Sequence, residues 1–100
     1  MAGREHARVQ NELFFKGLNE RIRALHRTWG EAALLDVVCE CAEAGCFATL
    51  AVETSEYDRI RDSPRLFIVS PGHERPELER VVERVDEYHV VEKAEAARAL

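Results

Sequence analysis

Cys39-Glu40-Cys41-Ala42-Glu43-Ala44-Gly45-Cys46 is the stretch that decides how this chain folds. Upstream, Leu35, Val37, Cys39 and Cys41 alternate with Leu34, Asp36, Val38 and Glu40, the period of a strand. Residues two apart on a strand point the same way, so Cys39 and Cys41 can bring two sulfurs to one point. Gly45 can take the positive φ of a sharp return. Phe47-Ala48-Thr49-Leu50-Ala51-Val52 then reads as a second strand, antiparallel to the first because the loop between them is short. The return carries Cys46 beside the first two thiols.

Three cysteines within eight residues fit a zinc ion, which takes four sulfur or nitrogen donors in a tetrahedron. Four histidines compete to be the fourth donor. His6 lies in a loose N-terminal stretch and His26 near the end of a helix. His89 sits beside an apolar run, where a structural histidine is common. His73 follows Pro71-Gly72 in a turn that ends a strand, which fixes its backbone and lets the ring reach past the sheet. The expected ligands are therefore Cys39, Cys41, Cys46 and His73, with His89 as the alternative fourth. Two competing readings remain: three buried reduced cysteines, or a redox-active thiol cluster.

Outward from this cluster, the spacing predicts an amphipathic helix over about 5–29, with an apolar stripe of Val9, Leu13, Phe14, Leu18, Ile22, Leu25 and Trp29. Glu12 and Lys16 stand as an i,i+4 pair on the polar side, and Gly30 is the expected stop. Phe15 widens the stripe, either as a helix edge tucked against the sheet or as a residue facing a partner. Ser55-x-x-Asp58 predicts an N-cap and a short helix to about Asp62, with Tyr57 and Ile60 inward. Leu66-Phe67-Ile68-Val69 is apolar on both faces and predicts a central strand. The segment 77–93 fits either a helix or a hairpin turning near Asp86-Glu87, and its β-branched pairs favour the hairpin. Residues 1–8 and 94–100 are expected to be loose. The resulting fold is α+β: a long N-terminal helix packed on a small, mainly antiparallel sheet, with a zinc knuckle between the first two strands, in a single domain.

Cys39-Glu40-Cys41, Cys46, Glu56-Tyr57, Arg61, Phe67, Pro71-Gly72-His73-Glu74 and Val90-Val91-Glu92-Lys93 together resemble a group of small actinobacterial-type proteins of no established activity. The likeness runs from about Asn11 to Lys93. It implies His73 over His89 and a hairpin in the last third, and it implies no function.

At 100 residues, with 46% apolar and 33% charged positions, the chain is expected to build a core small enough for a metal to matter to its stability. A net charge of −5, with both signs interspersed, opposes nonspecific attraction to nucleic acid or anionic membrane. Nothing in the first residues resembles a signal peptide, and an odd cysteine count disfavours a disulfide framework, so the expected compartment is the cytoplasm.

Three functions compete. A closed Cys3His site leaves no position for water, which points to structural zinc in a protein-interaction or regulatory module, with a homodimer through the N-terminal helix as one form of it. A zinc hydrolase would need an open metal position and a base from Glu40, Glu43, Glu53 or Glu74; otherwise Glu40 and Glu74 are solvated charges or acceptors near the metal. Nucleic-acid binding would rest on Arg4, Arg8, Arg21, Arg23 and Arg27, a stripe diluted by Glu5, Glu12 and Glu20.

Overall fold

The computed structural model describes residues 2–29, 33–41, 43 and 46–93; the side chains of 2–11 and 29 lie outside that description. Gly30, Gly45, the tail 94–100, and the side chains of Val9 and Trp29 therefore fall outside it too.

The elements run α1 (Ala2–Trp29), β1 (Leu34–Val38), β2 (Thr49–Glu53), α2 (Thr54–Arg61), β3 (Leu66–Val69), β4 (Glu79–Arg84) and β5 (His89–Lys93). The α+β class is as the sequence reads. In place of one sheet there are two: β1 pairs with β2, and three antiparallel strands stand in the order β3-β5-β4. The last third is the hairpin, with a register shift between Val81 and Glu83 and a turn closed by Val85 N–H donating to the Tyr88 carbonyl.

Alternation decides which side of each strand is buried. Leu35 and Val37 of β1 and Leu50 and Val52 of β2 face inward, with Tyr57 and Ile60 of α2. Phe67, Ile68, Val69, Val90 and Val91 complete the core from the other sheet. Each fully buried aliphatic or aromatic side chain among them contributes about 1.5–3 kcal/mol.

Two expectations are corrected here. β3 is an edge strand, and β5 is the central one. β3 is apolar on both faces because it is covered, not because it is central: the Glu40 N–H donates to the Ile68 carbonyl at 2.8 Å, sealing the open edge. α2 begins at Thr54 with Glu53 as its cap residue and no side-chain cap bond, so Ser55 is not the N-cap.

The largest correction concerns α1. The expected stripe does not face the sheets: Leu13, Phe14 and Leu25 are 55%, 66% and 55% exposed. Glu12, Lys16, Asn19 and Arg23 are buried in its place, at helical spacing of four, three and four. Among the stripe residues whose side chains are described, Ile22 alone packs against the core, and Leu18 is half-buried. Polar residues can seat a helix when each finds a partner and its carbon stem covers apolar surface. Lys93 binds both Glu12 and Glu79, and the Lys16 ammonium donates to the Pro64 carbonyl at 2.6 Å while lying 4.2 Å from the Phe67 ring centre. Arg23 forms a two-pronged pair with Asp58, both contacts 2.8 Å. Glu12 and Lys16 therefore do not pair with each other; each reaches across to the domain.

Candidate metal centre

Asn19 fixes the point where β1 ends. Its side-chain amide behaves like a missing strand: Nδ2 donates to the Val38 carbonyl at 2.9 Å, and Oδ1 accepts from the Val38 N–H at 2.8 Å. One residue on, the Cys39 N–H donates to the Ala48 carbonyl at 2.8 Å, so the approach to Cys46 runs beside the exit from β1. Cys39 and Cys41 are both buried, although neither lies within a strand, and Glu40 stands between them.

Glu40 is 0% exposed, which removes it as a solvated charge. Its carboxylate accepts from Asn19 Nδ2 at 2.7 Å, from an Arg61 guanidinium nitrogen at 2.6 Å and from the Ile68 N–H at 2.9 Å. A buried carboxylate is tolerable when its charge is paired and its oxygens are occupied, and both conditions hold. The network ties α1, the end of β1, α2 and β3 together immediately behind the two cysteines.

His73 arrives from the turn after β3. Its N–H donates to the Ser70 carbonyl at 2.9 Å, and Gly72 takes φ of 91°, which a side chain would resist. Cys46 comes from the returning loop, its N–H donating to the Glu43 carbonyl at 3.2 Å. The ligand atoms of Cys39, Cys41, Cys46 and His73 all lie within 4.8 Å of one another. His73 Nδ1 stands 3.6 Å from the sulfurs of Cys39 and Cys46 alike. In a tetrahedron with metal–sulfur distances of about 2.3 Å and metal–nitrogen of about 2.0 Å, a sulfur–nitrogen edge is about 3.5 Å, within about 0.1 Å of the observed pair. The donor set and two of its edges thus fit a four-coordinate metal, and the group could hold one.

Electrostatics favour a cation at this point. Burial pushes the Cys39 thiol up, against a Ser70 N–H that donates to its sulfur at 3.1 Å. Cys41 is pushed up further by burial and by the neighbouring Cys39 and Cys46. Three thiolates in one desolvated spot repel, and a divalent ion is what would relieve them. All three cysteines are free of disulfides.

The other histidines stand elsewhere. His89 Nδ1 faces the Glu74 carboxylate at 3.2 Å, and His26 is half-buried on α1 outside the cluster. The side chain of His6 lies outside the described residues. The candidate bases disperse too: Glu40 is engaged behind the site, Glu43 pairs with Arg75, Glu53 is exposed, and Glu74 accepts from the Gly72 N–H. The arginine stripe breaks because Arg23 turns inward to Asp58 and Arg27 pairs with the same carboxylate, while Arg4 and Arg8 have undescribed side chains.

Asn19 and Arg61 have no part in the metal chemistry expected from the sequence. In the sequence, Asn19 is signalled only by its polarity on the helix, and Arg61 only by its place among the residues that carry the resemblance. No helix is long and apolar enough to cross a membrane among the described residues. Compared with known proteins, the chain matches no family model, no curated protein and no solved structure.

Proposed function

We propose that this is a small zinc protein in which Cys39, Cys41, Cys46 and His73 fill all four positions around a structural ion, and that the stabilised domain serves as a protein-interaction or regulatory module. The observation that carries the proposal is the convergence of the four ligand atoms within 4.8 Å. Three thiolates and an imidazole select a soft or borderline metal, and a filled sphere leaves no site for an activated water. Support for the interaction role comes from α1, which turns Leu13, Phe14 and Leu25 outward. Apolar residues grouped on a surface commonly mark contact with another macromolecule.

Elemental analysis of the purified chain tests the metal. About one zinc per chain is expected, lost in Cys41→Ser and in His73→Ala and kept in His89→Ala. A wild-type protein without metal, or one whose zinc survives Cys41→Ser, removes the proposal.

A further inference from the structure

We propose that the hollow between α1 and α2 binds a small zwitterion of the amino-acid class, with its carboxylate at the floor and its ammonium at the mouth. The proposal goes beyond the metal reading and does not rest on it.

The hollow has a volume of about 390 Å³, within the about 300–1,000 Å³ usual for small-molecule sites. α1 supplies Glu20, Arg23 and Arg27; α2 faces them with Tyr57, Asp58 and Arg61, and Asp62 follows at its end. Charged side chains thus make up nearly the whole lining, which suits a small polar ligand.

The floor is short of acceptors. The Arg61 guanidinium lies 4.8 Å from the centre of the Tyr57 ring and gives one nitrogen to Glu40 at 2.6 Å. Its Nε and Nη1 are buried with no hydrogen-bond partner, and so is the Tyr57 hydroxyl. Buried donors without an acceptor are rare and costly, and here three such atoms belong to two side chains in contact. Burial pushes the Tyr57 hydroxyl up to about 12, so it keeps its proton and has it to donate. Charge points the same way. Arg23, Arg27 and Arg61 face two carboxylates that are already engaged, Asp58 and Glu40, which leaves one positive charge in excess. A carboxylate answers both needs, since it brings one negative charge and accepts up to about four hydrogen bonds.

The mouth has the opposite lack. Glu20 and Asp62 are exposed, and among the described residues neither side chain takes part in an ion pair or hydrogen bond. An ammonium between them would meet two unpaired carboxylates. Inorganic phosphate answers the floor alone, and its second charge would be repelled at the mouth.

The floor donors are shut off from solvent, so a side chain must move before a ligand reaches them. Arg27 is the wall able to do so: it is 59% exposed and meets Asp58 at 3.3 Å, while Asp58 keeps two 2.8 Å bonds to Arg23. With little apolar surface to bury, the expected Kd is about 0.1–1 mM.

The test is an NMR titration of the full chain labelled with ¹⁵N, reading the arginine Nε–H signals and the backbone amides of α2. The probes are glycine, glutamine and 4-aminobutyrate, which differ in the separation of charges or in bulk; acetate, methylamine and inorganic phosphate are the controls, each taken to about 10 mM. At least one amino acid should move the Arg61 Nε–H signal saturably, acetate should bind about three- to fivefold more weakly, and methylamine should leave that signal in place. Tyr57→Phe should weaken binding about tenfold without lowering the melting temperature of the ligand-free chain, because the hydroxyl it removes has no partner there. Glu20→Gln combined with Asp62→Asn should bring the best amino acid down to the affinity of acetate. The proposal is overturned if no amino acid moves the signal, if phosphate binds as tightly as the best of them, or if Tyr57→Phe binds like wild type. A lower melting temperature in Tyr57→Phe overturns it too, since the hydroxyl would then be satisfied without a ligand. Acetate matching the best amino acid in wild type removes the ammonium position, and the zwitterion with it.

Discussion

The cysteine cluster and the seat of α1 are both buried and polar, and they are held together by opposite means. At the cluster, three thiols and an imidazole converge as a group that could hold an ion, with burial pushing Cys39 and Cys41 away from ionisation. At the seat, the charges answer one another: Lys93 stands between Glu12 and Glu79, Arg61 meets Glu40, and Arg23 meets Asp58. One region is arranged so that an ion from outside could complete it, and the other pairs its charges with groups of the chain itself. A small core can therefore be extended by polar groups in two ways, and under the metal proposal only the first could be withdrawn without changing a residue.

The widest gap between the two regions should open on metal removal. A strong chelator, or Cys41→Ser, is expected to cost at least about 4 kcal/mol, the stabilisation given by a ligand present at a thousandfold its dissociation constant. Denaturant titration with and without chelator measures it. An unchanged midpoint would mean that the cluster needs no ion, and the contrast with the seat would collapse.

Next in size is the point where the regions touch. Glu40→Ala leaves Arg61 buried without its carboxylate and strips the Ile68 N–H of its acceptor; breaking a buried pair in this way costs about 3–5 kcal/mol. Glu40→Gln keeps the shape and should cost less. Both variants should still bind about one zinc at saturating metal, since Glu40 is not among the grouped donors. Asn19→Ala removes the amide that completes Val38 at the edge of β1, an expected loss of about 1–3 kcal/mol. If any of these three variants abolishes metal binding while remaining folded, the network and the cluster are one unit and not two.

The cluster and the seat differ equally in how readily they are read from sequence. Cys39, Cys41 and Cys46 announce themselves because their side chains have few other reasons to crowd into eight residues, and a Pro-Gly turn brings His73 to them, although the strand period expected to run through Cys41 ends at Val38. The hairpin of β4 and β5 is legible from its β-branched pairs. The orientation of α1 is not, because period alone says which residues share a face and not which face is buried. Leu13, Phe14 and Leu25 on one side, against Glu12, Lys16, Asn19 and Arg23 on the other, would ordinarily turn the first set inward. The reversal depends on partners far along the chain, among them Asp58, Pro64 and Lys93, and no local pattern points to them. The same holds for β3, whose edge is sealed by Glu40 from 28 residues away.

The smallest expected effect separates the regions by sign. The Glu12 carboxyl is pushed up to about 6 from an ordinary 4.5, chiefly by burial, despite its contact with Lys93. Because its folded-state value lies above its unfolded one, the associated stability is fully present below about pH 4.5 and is lost as pH rises through 6. The full span is about 2 kcal/mol, of which about 1 kcal/mol falls between pH 5 and pH 7.5. Thiolate–metal bonds respond the other way, since acid reprotonates the sulfurs and releases the ion. The two trends therefore partly cancel in wild type, and the seat must be isolated by difference. Glu12→Gln supplies that difference: it fixes the side chain in a neutral form and leaves Lys93 its 2.6 Å contact with Glu79. Relative to wild type, the variant should gain about 1 kcal/mol between pH 5 and pH 7.5 in paired denaturant titrations, because wild type alone loses the Glu12 contribution over that interval. Parallel pH profiles for the two proteins would show that the carboxyl is already ionised at no cost, and that the seat of α1 is as insensitive to pH as an exposed ion pair.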